Sequence, residues 1–215
     1  MSEENLYQPP SADLRREADD GAFALTGPHA RGVGNGAVWI LNGWGFFKAS
    51  PLAWIGAIVI YVVIAMVASL IPLLGQLAMQ ILGPVFMAGF MLGCREQEQG
   101  NEFTIGHMFA GFQNRFGSLV VLALLYLVAV IVAVVVGMVV MGVLMGGMAA
   151  VSNPETMAQI GPVTGLLMVL IMLALIIPVA ATIWFSPALV MLHDMAPVEA
   201  MKMSVAGVLK NILPF

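Results

Sequence analysis

The chain has 215 residues, of which 60% are hydrophobic and only 9% are charged, and its mean hydropathy is +0.97. Soluble proteins carry about 25% charged residues, so this composition excludes an ordinary water-soluble domain and predicts a membrane protein. The formal net charge of −4 comes largely from acids in the N-terminal tail, so it indicates no nucleic-acid-binding surface.

The first predicted segment, residues 1–36, is an acidic tail rich in proline and glycine. Low hydrophobicity together with mixed charge favours disorder. Gly32, Gly34 and Gly36 are interpreted as a flexible hinge. A transmembrane helical domain is predicted to follow, over residues 37–215.

Four long apolar runs predict four membrane-spanning helices, at about 52–74, 76–93, 118–150 and 163–192. A helix needs about 20 apolar residues to span a bilayer, so the fold class is an all-α, polytopic transmembrane bundle. Candidate helix breaks are Pro84, Pro178 and Pro187, because proline removes a backbone donor inside a helix. Since a fifth apolar run begins at Ile212, we expect the protein to continue beyond Phe215.

The basic residues predict the orientation. All 8 lysines and arginines lie in the tail, at Lys48 before the first apolar run, or in the segments around 95–115 and 202–210. The turn at residues 74–76 and the loop at residues 151–162 contain none. The positive-inside bias therefore predicts a cytoplasmic N-terminus.

Three amphipathic segments, at about 37–49, 106–116 and 197–210, precede apolar runs and resemble one another. We interpret them as helices in the membrane interface, the first anchored at headgroup depth by Trp39, Trp44 and Trp54. Each segment would open a unit of one interfacial helix and a two-helix hairpin, repeated in parallel, which predicts about six spans. The alternative is convergence, since membrane-entry segments often combine an aromatic residue, a basic residue and Pro or Gly.

Five motifs mark the membrane domain: Trp39-x3-Gly43-x3-Phe47-Lys48-x2-Pro51-x2-Trp54, Ile71-Pro72-Leu-Leu-Gly75, Gly83-Pro84-Val-Phe-Met-Ala-Gly89-Phe-Met-Leu-Gly-Cys94-Arg95, His107-Met-Phe-Ala-Gly-Phe112 and Pro197-x2-Ala200-x3-Ser204. Through them, roughly residues 36–215 resemble a family of uncharacterised proteobacterial inner-membrane proteins. That resemblance implies six spans in a bacterial inner membrane and no known activity. The last motif is also similar to the membrane domain of some glycerophosphodiester phosphodiesterases, whose catalytic barrel is not in this sequence.

Catalytic, cofactor and metal sites are not predicted, and we expect a protein that is not an enzyme. His193 and Asp194 are adjacent, and neighbouring helical side chains point about 100° apart, so they form a poor acid/base pair. Among the 17 methionines, a helical stripe would suit Cu(I), whose preferred ligands include thioethers: Met138, Met141, Met145 and Met148. Methionine is also a common gap-filler in apolar packing.

Small-residue faces at Gly89, Gly93, Gly142 and Gly146 predict close helix packing, within the bundle or against a partner. The first functional hypothesis is therefore a scaffold, assembly or modulatory protein whose partners are the bilayer and another membrane protein or a second copy. The alternative is a transporter or permease for a lipid or another weakly polar substrate, with a Cu(I) pathway as a remote option. A cavity opening near Pro84 and Pro187 would favour transport.

Overall fold

The computed structural model describes residue 25, residues 27–144 and residues 162–214, with the backbone alone at residues 144 and 162–164. Within these ranges every regular element is helical, as the composition predicts. The α-helices are α1 (Asn35–Ala49), α2 (Pro51–Ser69), α3 (Leu74–Glu98), α4 (Ala110–Gln113), α5 (Phe116–Leu144), α6 (Pro162–Ile183), α7 (Ser186–His193) and α8 (Pro197–Lys210), and a 3₁₀ helix (Ile105–Phe109) precedes α4.

Four segments of the described chain are long and apolar enough to cross a membrane. They are α2, α3, most of α5, and α6 with α7 taken together, so the prediction of a polytopic helix bundle is confirmed. At about 1.5 Å per residue, the 28 apolar residues of α5 exceed the roughly 30 Å of a hydrocarbon core. The predicted third span also included residues 145–150, which lie outside the described residues.

The turn between α2 and α3 lies earlier than the sequence predicts. Helix α2 ends at Ser69 and α3 begins at Leu74, so the turn occupies residues 70–73. Leu73 has a φ of 65°. Gly75 then passes so close to the Ala68 carbonyl that a Cβ there would lie 1.7 Å from the oxygen, and the hairpin therefore requires glycine at this position.

Helix α3 is the centre of the bundle, and it runs on past its predicted end at residue 93 to Glu98. Its buried face contributes Val85 and Ala88 to a core completed by α5, α7 and α8. Its other buried contact joins Phe86 to Phe103 and Met108 of the following connection. Most of the tertiary packing among the described residues therefore involves α3.

All described lysines and arginines lie at one end of the molecule, which we call the basic end: residues 27–49, residues 95–115 and residues 193–211. Gln97 ties it together, because its amide donates to the Phe46 carbonyl over 3.0 Å and accepts from the Trp54 indole over 3.2 Å. Arg115 forms an ion pair with Asp194. This one-sided distribution is the pattern from which the orientation is predicted.

The predicted helix breaks at Pro84 and Pro178 are not found, since both residues lie inside continuous helices. Transmembrane helices accommodate proline when neighbouring groups satisfy the freed carbonyl. The fourth span is instead interrupted at Trp184 and Phe185, and Pro187 lies in the first turn of α7.

Ser204 of α8, outside the span, forms hydrogen bonds with the backbone at this interruption. Its buried hydroxyl accepts from the Phe185 backbone N–H over 2.9 Å and donates to the Ala181 carbonyl over 2.6 Å. These are two of the backbone groups that a helix end leaves without an intrahelical partner. Ala200, one turn earlier, is also fully buried, so the motif that contains both residues lies against the break.

The three predicted interfacial segments differ in conformation. The first is α1, which starts at Asn35, and the third matches α8 in both bounds. The second is a 3₁₀ helix followed by the single turn of α4. Its Thr104 and His107 form a reciprocal cap, which stabilises the tighter turn. The parallel repeat therefore stays a prediction.

The chain before α1 is bound to α8, although the sequence predicts disorder through residue 36. The Asn211 side chain accepts from the Arg31 backbone N–H over 2.9 Å and donates to the His29 carbonyl over 3.0 Å. Lys210 donates to the Pro28 carbonyl over 2.9 Å. Gly36 is not a free hinge either, since a Cβ there would lie 2.3 Å from the Pro214 carbonyl oxygen. Residues 1–24 and 26 lie outside the described residues.

Candidate functional site

A cleft of about 580 Å³ opens between α2, α3, α5 and the α6–α7 break. This size lies within the usual range of small-molecule and cofactor sites. We call it the central cleft, and its lining residues are Tyr61, Met79, Gln80, Gly83, Pro84, Met87, Met91, Tyr126, Ile183, Trp184 and Pro187. Both proline positions named in the transport hypothesis therefore contribute to one cavity.

One face of α3 forms the floor of the central cleft. Gln80, Gly83, Met87 and Met91 recur every three or four residues, which places them along one side of a helix. At Gly83 the floor has no side chain, and a Cβ built there would meet nothing within 4 Å. The lack of a side chain at this position contributes to the open volume.

The opposite walls come from three other spans. Tyr61 of α2 and Tyr126 of α5 supply phenol groups, and Trp184 stands at the break, 60% exposed. Of the described residues that line the cleft, Gln80 supplies the remaining polar side chain besides these aromatic groups, and none is Asp, Glu, Lys, Arg or His. The site therefore suits an apolar or weakly polar guest, and an ion would be poorly solvated there.

The depth of the cleft follows from helix geometry. Pro84 lies ten residues after the start of α3 at Leu74, which corresponds to about 15 Å along the axis. Half the thickness of a hydrocarbon core is also about 15 Å. Counted from the α2–α3 turn, Pro84 therefore lies about half the thickness of a hydrocarbon core along the helix.

A second cavity of about 480 Å³ lies at the basic end, beneath α1. We call it the edge pocket, and its lining residues are Trp39, Asn42, Gly43, Phe46, Met91, Cys94, Arg95, Glu98 and Leu192. Arg95 is half-buried and Glu98 is exposed. Met91 lines both the edge pocket and the central cleft, so the two cavities are neighbours along α3.

The glycine pair Gly89 and Gly93 packs inside the protein, against the connection after α3. A Cβ on Gly89 would lie 2.5 Å from the carbonyl oxygens of His107 and Met108, and one on Gly93 would lie 2.4 Å from the Phe103 ring. The face predicted for close helix packing thus admits a 3₁₀ helix. Gly142 is buried within α5, whereas Gly146 lies outside the described residues.

The three predicted tryptophan anchors have different surroundings. Trp39 and Trp44 of α1 are 38% and 55% exposed, as an interfacial position requires. Trp54 instead stacks on Phe103 with ring centroids 4.0 Å apart and on Phe90 at 5.8 Å. It is part of an internal aromatic cluster, and Gln97 satisfies its indole N–H.

The remote option of a Cu(I) pathway stays a prediction for the described residues. They contain no group of three or more His, Cys, Asp or Glu side chains that could hold a metal ion. Met145 and Met148 of the methionine stripe lie outside the described ranges. Three thioethers, of Met79, Met87 and Met91, line the central cleft, where they extend its apolar surface.

His193 and Asp194 do not face each other across a reactive centre. Asp194 ends α7 in the left-handed conformation with a φ of 54°. Its carboxylate forms an ion pair with Arg115, which lies in the connection between α4 and α5. Arg115 also has a positive φ, 58°. The aspartate therefore joins two connections at the basic end.

Sequence reasoning missed Tyr61, Tyr126 and Trp184 as cleft residues. Each is an amphipathic aromatic within or beside a long apolar run, and a phenol or indole at this depth requires a polar neighbour or a cavity. That requirement was the available signal. This signal identifies the three residues, but it does not predict that they meet, because they lie on three different spans.

The chain is similar to a probable inner membrane protein of Burkholderia thailandensis, with 30% identity over 183 residues. The aligned region covers 82% of this chain and 67% of that relative. No protein-family model and no solved structure matches the chain.

Proposed function

This chain belongs to the family of the Burkholderia thailandensis probable inner membrane protein, and on that premise we propose that it is an integral inner-membrane protein that binds and handles a lipid or another weakly polar molecule. The central cleft is the binding site in this proposal. The protein acts as a carrier or permease and performs no covalent chemistry.

The observation that carries the proposal is the position of the cleft at Pro84 and Pro187. Substrate sites of many transporters lie near the bilayer midplane, where helices of different units are interrupted. Here the fourth span is interrupted at Trp184 and Phe185, directly beside the cavity.

The chemistry of the lining selects the class of guest. The described lining has no acidic or basic side chain, so it offers no group for proton coupling near neutral pH or for balancing a charged substrate. Methionine, isoleucine and proline surfaces favour an acyl chain, and the Gln80 amide with the two tyrosine hydroxyls can bind an ester or hydroxyl oxygen.

A scaffold or assembly role is the second candidate. Only 6% of the apolar window of α2, and 6% of that of α6 with α7, is buried inside the described bundle. Their outer faces are therefore open to lipid or to a partner helix. Recovery of one defined membrane-protein partner at fixed stoichiometry in mild detergent would favour this role.

Replacement of Gly83 by leucine tests the lipid site. The new side chain enters open space and fills the cleft floor. Because residue 83 precedes Pro84, where a Cβ disfavours the helical conformation, circular dichroism must show native helix content in this variant. We expect Gly83→Leu to bind phospholipid about tenfold more weakly than the native protein, a loss of about 1.4 kcal/mol. Native mass spectrometry of lipid-titrated protein in detergent micelles measures the bound fraction.

Gly165→Leu is the matched control, because Gly165 is also helical, also has nothing within 4 Å of its Cβ position, and does not line the cleft. It should bind lipid as the native protein does. Equal lipid binding by Gly83→Leu and the native protein would exclude the central cleft as the site.

A further inference from the structure

We infer that the edge pocket binds the headgroup of a phospholipid that carries both a phosphate and an ammonium group, while its acyl chain occupies the central cleft. This inference rests on the proposed function and adds the chemical class of the bound molecule. Met91 lines both cavities, which makes them neighbours along α3, and in this inference the bound amphiphile extends from one past Met91 into the other.

The polarity of the two cavities follows that of a phospholipid. Among the described residues, no charged side chain lines the central cleft, whereas Arg95, Glu98 and Asn42 line the edge pocket at the basic end. Tryptophan prefers the headgroup region, and Trp39 lines the edge pocket as well. Tail and headgroup would therefore each meet a surface of matching polarity.

The charges of the edge pocket indicate which headgroup. Arg95 and Glu98 stand three residues apart on α3 and line the same cavity, where i and i+3 side chains are neighbours. A guanidinium is suited to a phosphate and a carboxylate to an ammonium group. Arg95 also donates to the Leu192 carbonyl over 3.4 Å, so its guanidinium would contribute its other donors to the phosphate. One positive and one negative side chain complement a phosphoethanolamine headgroup, whereas a phosphoglycerol headgroup brings no cation to the carboxylate.

The test compares phosphatidylethanolamine with phosphatidylglycerol of identical acyl chains, each titrated into the full chain in a non-ionic detergent and counted by native mass spectrometry. The native protein should bind phosphatidylethanolamine about fivefold more tightly than phosphatidylglycerol. This factor corresponds to the roughly 1 kcal/mol that one charge contact contributes at a membrane surface. Glu98→Gln should abolish that preference, and Arg95→Gln should weaken binding of both lipids.

Gly43→Leu gives a variant that does not disturb the charges. Gly43 lines the edge pocket and its Cβ position is open, so leucine fills the pocket from α1. Gly45→Leu is its matched control on the same helix, since Gly45 has equally open space and does not line the pocket. Gly43→Leu should lose the headgroup preference and Gly45→Leu should keep it.

Three results would overturn the inference. The first is equal affinity of the native protein for the two lipids, and the second is a preference that survives both Glu98→Gln and Gly43→Leu. The third is saturation of the edge pocket by soluble phosphoethanolamine at the affinity of the lipid, which would identify a soluble ligand. If Gly83→Leu still removes lipid binding in any of these cases, the proposed function stands and only the headgroup assignment fails. If Gly83→Leu has no effect, both fail.

Discussion

Ser204 shows how one side chain stabilises an interrupted span. Its hydroxyl satisfies the Phe185 N–H and the Ala181 carbonyl at once, and the residue is fully buried. Ser204→Ala leaves a buried backbone donor without a partner, which costs about 1–3 kcal/mol. We expect a lower thermal stability in detergent, measured with a thiol-reactive dye that reports exposure of Cys94.

Thr182→Val provides the comparison for Ser204→Ala. The Thr182 hydroxyl donates only to the Val179 carbonyl of its own helix, so its removal leaves no backbone group of the break unsatisfied. This variant should lose less than about 0.5 kcal/mol. Equal destabilisation by the two variants would show that Ser204 contributes no more than an ordinary hydroxyl.

At the residue scale, the sequence predicts that the tryptophans lie near the membrane interface but does not predict which residues they contact. Trp39, Trp44 and Trp54 look alike from their spacing around the first apolar run. Only Trp54 faces inward, because Phe90 and Phe103 from later segments form a stack around it. Residues 36 and 49 positions away determine its environment, and hydropathy along the chain carries no information about such contacts.

At the element scale, the contact between α3 and the connection after it depends on Gly89. A Cβ at this position would lie 2.5 Å from two backbone carbonyl oxygens, and backbone has little freedom to move. Gly89→Ala should therefore destabilise the protein by about 2–3 kcal/mol. Thermal unfolding in detergent measures the effect.

Gly45→Ala, in the middle of α1, is the matched control for Gly89→Ala. Its Cβ position is open, and alanine is the better helix former by up to about 1 kcal/mol. The two substitutions are chemically identical and should shift the unfolding temperature in opposite directions. A similar loss of stability in both would show that helix propensity, and not the contact with residues 107 and 108, decides the result.

The four spans were predictable because lipid imposes a strong and local requirement. A span must be long, apolar and internally hydrogen-bonded, and each of these properties can be read from consecutive residues. The position of the break was not predictable in this way. Pro178 lies inside α6, whereas the interruption occurs at Trp184 and Phe185, where Ser204 arrives from another helix to satisfy the backbone.

At the scale of the whole molecule, the central cleft was foreseeable only in part. Pro84 and Pro187 indicated where a cavity between units would open, and both line it. Tyr61 and Tyr126 lie 65 positions apart on separate spans, so their meeting depends on how the helices associate. The packing of both α2 and α5 against α3 brings these walls together.

The orientation of the molecule is the property on which the headgroup assignment to one leaflet depends. Every described lysine and arginine lies at the basic end, and residues 70–76 form the opposite end of the α2–α3 hairpin. The positive-inside bias therefore predicts that the basic end faces the cytosol. A membrane-impermeant maleimide added to intact cells measures this with single cysteines in a Cys94→Ser background.

Gln76→Cys and Gln113→Cys are the matched pair, because both residues are exposed glutamines and neither substitution changes the charge. Gln76→Cys should react in intact cells, and Gln113→Cys only after the membrane is permeabilised. The reverse pattern would place the basic end outside. It would move the edge pocket to the outer leaflet while leaving the fold and the central cleft as described, because neither depends on which side of the membrane the lysines and arginines face.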